Sequence, residues 1–140
     1  GCTPRHLRIV SSHTWRSSGR PAVYVGARDI GVPVVQTPHN HRNICASALL
    51  MRDGRICEDC IGGSPYQAVW HRCYRESVAG SFALARMIDR HRKQGTWSRS
   101  VDRFIALSHF SKSRFVAAGF PADRISVKPN SPGAIFAAEP

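Results

Sequence analysis

Four cysteines, Cys45, Cys57, Cys60 and Cys73, carry the sharpest chemical signal in the chain. Cys57-Glu58-Asp59-Cys60 is a C-x2-C knuckle, a spacing at which two thiolates grip one tetrahedral ion. Cys45 and Cys73 flank it at similar distances along the chain and can complete a four-sulfur site, with His71 as a substitute ligand. Structural zinc is the expected occupant, and an iron–sulfur cluster fits less well. Buried reduced thiols or a redox-sensitive disulfide are the other readings of the same residues. Cys2 stands apart near the start, which lacks the apolar centre and cleavage site of a signal peptide. Metal binding or reduced thiols therefore fit better than permanent disulfides.

A second group lies where strands are expected to end. His39 is the candidate for the catalytic side. Its imidazole can hydrogen-bond a substrate hydroxyl and tune local charge near neutral pH, or simply cap backbone groups at a strand end. Asn40 follows it as a substrate-binding candidate. Arg42 can meet a phosphate or carboxylate with its two-pronged guanidinium, or stand solvated in a loop. Ser108, between a strand and a helix, can direct its hydroxyl and nearby amides toward a diphosphate, or cap that helix.

The elements that must position these residues follow from apolar patterning. Strands are predicted at 6–10, 32–37, 101–107 and 124–128. Helices are predicted at 21–30, 76–94 and 111–118. In the long helix Leu84, Met87, Ile88 and His91 share one face, while Arg86, Arg90 and Lys93 lie opposite. Residues 39–75 show no sustained periodicity and read as an irregular loop that holds all four clustered cysteines. Strands separated by helices, without hairpin turn signals, predict an α/β fold with a parallel sheet flanked by helices. Ligands bind beyond the carboxyl ends of such strands. Here those ends carry Ser11–His13, His39–Arg42, Ser108–Ser111 and Asn130.

Twenty Lys and Arg against nine Asp and Glu give a net charge of +11, pointing to a phosphate-rich partner such as nucleic acid, anionic lipid or a nucleotide-linked substrate. The basic residues are scattered, and only Lys93, Lys112 and Lys128 are lysines. A nucleic-acid partner is therefore not expected. The face of Arg86, Arg90 and Lys93, with Phe82 beside it, can lie on anionic headgroups or stand solvated. With 42% hydrophobic residues and no membrane-length apolar run, the chain reads as a globular, cytoplasmic domain.

Four segments in order resemble the N-terminal domain of family 4 glycosyltransferases: RIVSSHTW (8–15), GVPVVQTPHNHRNIC (31–45), LLMRDGRICEDCIGG with HRCYRES (49–63 and 71–77), and VDRFIALSHFSKSRFVAAGFPADRISVKPN (101–130). The third resembles a cysteine-bearing insert found in one branch of that family. The resemblance implies the N-terminal, Rossmann-like, acceptor-side half of a two-domain GT-B fold, incomplete here. Residues 1–130 would form the partial domain, residues 41–75 the insert, and residues 131–140 a linker or aberrant tail. The activity implied is retaining transfer of a sugar from a nucleotide-sugar donor to a glycan or lipid-linked acceptor. His39 would position the acceptor while the departing phosphate takes its proton. His109 stands where a glutamate is common, and the donor domain with its paired glutamates is missing, so this piece alone is expected to be inactive. Peripheral contact with the inner face of the cytoplasmic membrane is also implied, and no catalytic metal is expected, because the GT-B reaction generally does not need one. The alternative is a zinc-stabilised basic module that binds nucleic acid or protein.

Overall fold

In this computed structural model the described residues are 10–11, 26–27 and 29–129. The predicted strand over 6–9, most of the helix over 21–30, Cys2, Ser12–His13, Asn130 and the segment 131–140 lie outside them. Val34–Gln36 forms a strand because two valines and a glutamine alternate across it, with Val34 and Gln36 buried and Val35 half-exposed. Arg103–Ala106 follows the same logic, burying Phe104 and Ala106.

The strands in chain order are β1 (Val10–Ser11), β2 (Val34–Gln36), β3 (Met51–Arg52), β4 (Arg55–Ile56), β5 (Arg103–Ala106) and β6 (Ile125–Val127). The helices are α1 (Asp59–Gly62), α2 (Gln67–Trp70), α3 (Val78–Lys93), α4 (Thr96–Ser100) and α5 (His109–Ala117). The main sheet has the order β1-β2-β5-β6, and every pairing in it is parallel. A parallel sheet with helices packed against it is therefore the architecture, as the alternating pattern predicts.

Aromatic side chains fill the core between β5, α4 and α5. Phe120 lies 5.2 Å from both Phe104 and Phe115 and 6.1 Å from Trp97, measured between ring centroids. Gly119, at φ +91°, turns the chain out of α5 so that Phe120 can swing back onto it, and the Phe120 amide donates to the Phe115 carbonyl at 3.1 Å. A smaller cluster of Ala46, Cys60 and Ala68, with Cys73 and Leu84 against it, forms a second core beneath α3.

Four expectations are corrected. Residues 39–75 are not one irregular loop: they contain the antiparallel β3–β4 hairpin and the short helices α1 and α2. A hairpin turn signal does exist, because Asp53-Gly54 supplies two left-handed residues at φ 50° and 73°, the geometry a tight two-residue turn demands. Its flanking strands are only two residues long, too short to register as a periodic pattern. The helix α4 escaped for the same reason of length. The long helix runs Val78–Lys93 rather than 76–94, because Glu76 is left-handed and the Ser77 hydroxyl caps the first turn by accepting from the Gly80 amide. Leu84 and Met87, expected on the buried face, are only half-buried. Ser81, Ala85, Ile88 and His91 make the buried stripe.

Candidate functional site

β2 and β5 are adjacent and parallel, so the segments leaving them emerge at the same edge of the sheet. One carries His39, Asn40 and Arg42; the other carries Ser108. His39 and Asn40 are exposed on the turn after β2. The Asn40 carboxamide oxygen accepts the Arg42 amide at 3.1 Å, which tightens that turn. Arg42 is half-buried. Its guanidinium donates to the Ala46 carbonyl and lies over the Tyr74 ring at 5.1 Å, so it braces the cysteine-bearing segment rather than reaching out. Ser108 is the N-cap of α5, its hydroxyl accepting from the Ser111 amide at 3.1 Å.

Two residues at this edge were missed by sequence reasoning. His41 stacks on Phe115 (5.5 Å, 25° between planes) and meets Phe110 edge-on at 6.2 Å, fastening the turn after β2 to α5. Burial lowers its pKa below the usual histidine value, opposed in part by the Ala48 backbone. Its Nε2 and the Gln36 Oε1 are buried without hydrogen-bond partners. Each such atom costs about 1–3 kcal/mol unless an ordered water meets it. Gln36 was legible in principle: it stands two residues from buried Val34 on the same strand face.

The four cysteines lie between β2 and α3, with Cys45 in the main core and Cys60 and Cys73 at the smaller cluster. Cys57 lies at the end of β4, Cys60 in α1, Cys45 in the turn before the hairpin and Cys73 between α2 and α3. All four are free thiols, with Cys45 and Cys60 buried and Cys57 and Cys73 half-buried. They are close enough to feel one another's charge. Burial pushes the Cys60 thiol up to about 11, and Cys45, Cys73 and Cys57 add to it in that order. Cys73 is raised by burial first, then by Cys45 and Cys57. Individual partners hold the sulfurs: Cys45 Sγ lies 3.2 Å from Ser47 Oγ, Cys60 Sγ 3.9 Å from the Pro65 carbonyl, and Cys57 against the Asp59 carboxylate. Among the described residues, no three His, Cys, Asp or Glu side chains stand ready-made as a metal cage.

The knuckle is pinned from three sides. Glu58 pairs with Arg114 of α5, and Asp59 with Arg52 of β3 at 2.7 Å. The Cys60 and Gly63 carbonyls accept from Arg92 of α3 at 2.8 and 2.9 Å. The Arg52 hydrogen bond, then Cys57, holds the Asp59 carboxyl below its ordinary range. The surrounding backbone is strained. Among the described residues the six non-glycine residues with positive φ are Ala48, Leu50, Asp53, Arg72, Arg75 and Glu76, all in this one segment. A left-handed conformation costs such residues about 1–2 kcal/mol each, offset by Leu50 and Ile61 in the main core and by the small cluster of Ala46, Cys60 and Ala68.

A pocket of about 510 Å³ opens at the amino ends of β2 and β5, opposite the His39 edge. Its polar groups are already engaged: Asp102 accepts the Val34 amide at 2.7 Å, and Arg124 donates to the Ser98 carbonyl at 2.7 Å. No helix of the described residues is long and apolar enough to cross a membrane. No family model, curated protein or solved structure matches the chain.

Proposed function

We propose that this chain is the acceptor-side part of a retaining glycosyltransferase of the GT-B kind, moving a sugar from a nucleotide-sugar donor to a glycan or lipid-linked acceptor. The observation that carries the reading is the shared carboxyl edge of β2 and β5, which brings the His39 turn and the capped start of α5 together. Ligands settle at that edge in parallel α/β sheets.

In this reading His39 positions an acceptor hydroxyl, and the departing phosphate takes the proton. Ser108 both caps α5 and turns the amides of its first turn toward the diphosphate. Arg42 acts on the site indirectly, by holding the turn against Tyr74. Donor recognition belongs to a second domain, and the protein works at the inner face of the cytoplasmic membrane.

The test is turnover. The chain, joined to the sequence that follows it in its gene, is assayed for nucleoside diphosphate release from a panel of nucleotide sugars, with lipid-linked and soluble glycans as acceptors. Transfer with retained anomeric configuration is expected, falling about 10²-fold in His39→Ala because a misplaced acceptor costs on that order. No turnover with any donor, together with tight, salt-sensitive binding of RNA or DNA, would replace this reading with the basic zinc module.

A further inference from the structure

The segment from Cys45 to Cys73 carries four of the six positive-φ non-glycine residues among the described ones, Ala48, Leu50, Asp53 and Arg72. Cys45, Leu50 and Ile61 anchor it in the main core, while Ala46, Cys60 and Ala68, with Cys73 and Leu84 against them, form a separate small cluster that brings Cys60 and Cys73 together. The knuckle is also tied by side chains from three other elements. Arg114, Arg52 and Arg92 fix Glu58, Asp59 and the Cys60 carbonyl from α5, β3 and α3, so the backbone bearing two thiols is held from outside. The other two thiols arrive from either side: Cys45 by way of the turn that Arg42 braces, and Cys73 beside left-handed Arg72.

We infer that Cys45, Cys57, Cys60 and Cys73 bind one structural zinc ion as a four-thiolate site that organises this segment. The donor set has the right chemistry, since four soft sulfurs from a knuckle and two outlying strands of chain suit a tetrahedral ion without redox activity. Binding requires three of the thiols to leave a weak partner: Ser47 for Cys45, Asp59 for Cys57 and the Pro65 carbonyl for Cys60. Four thiolates around a divalent ion leave two negative charges. Arg52, whose guanidinium already senses Cys57 and Cys73, supplies a compensating cation. Zinc is here a fold-building ion and takes no part in transfer.

The inference stands independently of the glycosyltransferase reading, because metal content reports nothing about turnover. The chain is purified without chelator, and zinc and iron are measured per chain, with zinc release followed as the thiols are titrated with a mercurial. Cobalt(II) is then added to the metal-depleted protein. The expected result is near-stoichiometric zinc, released in step with thiol blocking, and the intense thiolate-to-cobalt and tetrahedral bands of a four-sulfur site. Cys73→Ser loses the metal, Cys73→His regains it, and Cys2→Ser keeps it. If the serine variant does not fold, the cobalt spectrum of the unaltered chain decides alone. Folded protein without metal whose spectrum cobalt leaves unchanged overturns the inference, as do iron in place of zinc or disulfides among the four cysteines.

Discussion

At the scale of single residues, Ser108, half-buried His41 and buried His91 make separable claims. The Ser108 hydroxyl accepts from the Ser111 amide, so Ser108→Ala should lower stability by about 1 kcal/mol in urea unfolding. Ser108→Asp keeps the cap and adds a negative charge where the donor diphosphate is proposed to lie. It should therefore retain stability while raising KM for the nucleotide sugar; an unchanged KM would confine Ser108 to capping. His41 and His91 are both held below the ordinary histidine pKa, by burial in each case, with Arg90 adding to it at His91. Their unfolded forms take up protons first as pH falls through about 6.5. Stability contributed by the neutral rings is present above that value and is lost as pH drops through the lower folded pKa values. Unfolding free energy should thus fall between pH 7.5 and about 5. His91→Gln should flatten that fall, and an identical slope in the variant would rule out His91 as a source.

At the scale of elements, α3 is what the cysteine-bearing segment leans on. Ser81 is fully buried in α3, and its hydroxyl accepts the Tyr74 amide at 3.0 Å. Ser81→Ala leaves that amide unsatisfied and should cost about 1–3 kcal/mol, measured by denaturant unfolding. Gly80 is a sharper probe. Alanine favours a helix over glycine by about 0.8–1 kcal/mol, so propensity alone predicts a gain. A Cβ at Gly80, however, would meet Tyr74 Cδ1 at 2.9 Å, and that ring also carries Arg42. Gly80→Ala should therefore lower the Tm, and a higher Tm would show that the ring moves freely.

At the scale of the whole molecule, the outer face of α3 bears on the proposed membrane contact. Val78, Phe82, Arg86 and Arg90 fall four residues apart along one exposed stripe, apolar at one end and cationic at the other. Lys93 adds less than its sequence position implies, because Asp89 pairs with it at 2.8 Å. With a net charge of +11 behind this stripe, the chain should sediment with phosphatidylglycerol vesicles more than with phosphatidylcholine vesicles, and less at high salt. Phe82→Asp with Arg86→Glu should abolish the preference. Equal binding by that variant would place the contact elsewhere.

The parts of the protein written in local sequence are the parts read correctly from it. Valine-rich and phenylalanine-bearing runs specify β2 and β5, and helical spacing over residues 78–93 specifies α3, because each pattern depends only on neighbours one or a few positions away. Alternation of strand and helix then makes the main sheet parallel and puts His39 and Ser108 at one edge. The cysteine spacing was equally plain as a motif. What sequence patterning does not contain is the shape of residues 39–77. That segment is held by Arg52, Arg92 and Arg114 reaching from separate elements, and by His41 lying on Phe115. Such ties leave no periodic trace, since they join positions far apart in the chain through single side chains. Only the tertiary structure could decide that Arg42 is a brace, that Gln36 and His41 bury unpartnered polar atoms, and that the four thiols share one neighbourhood.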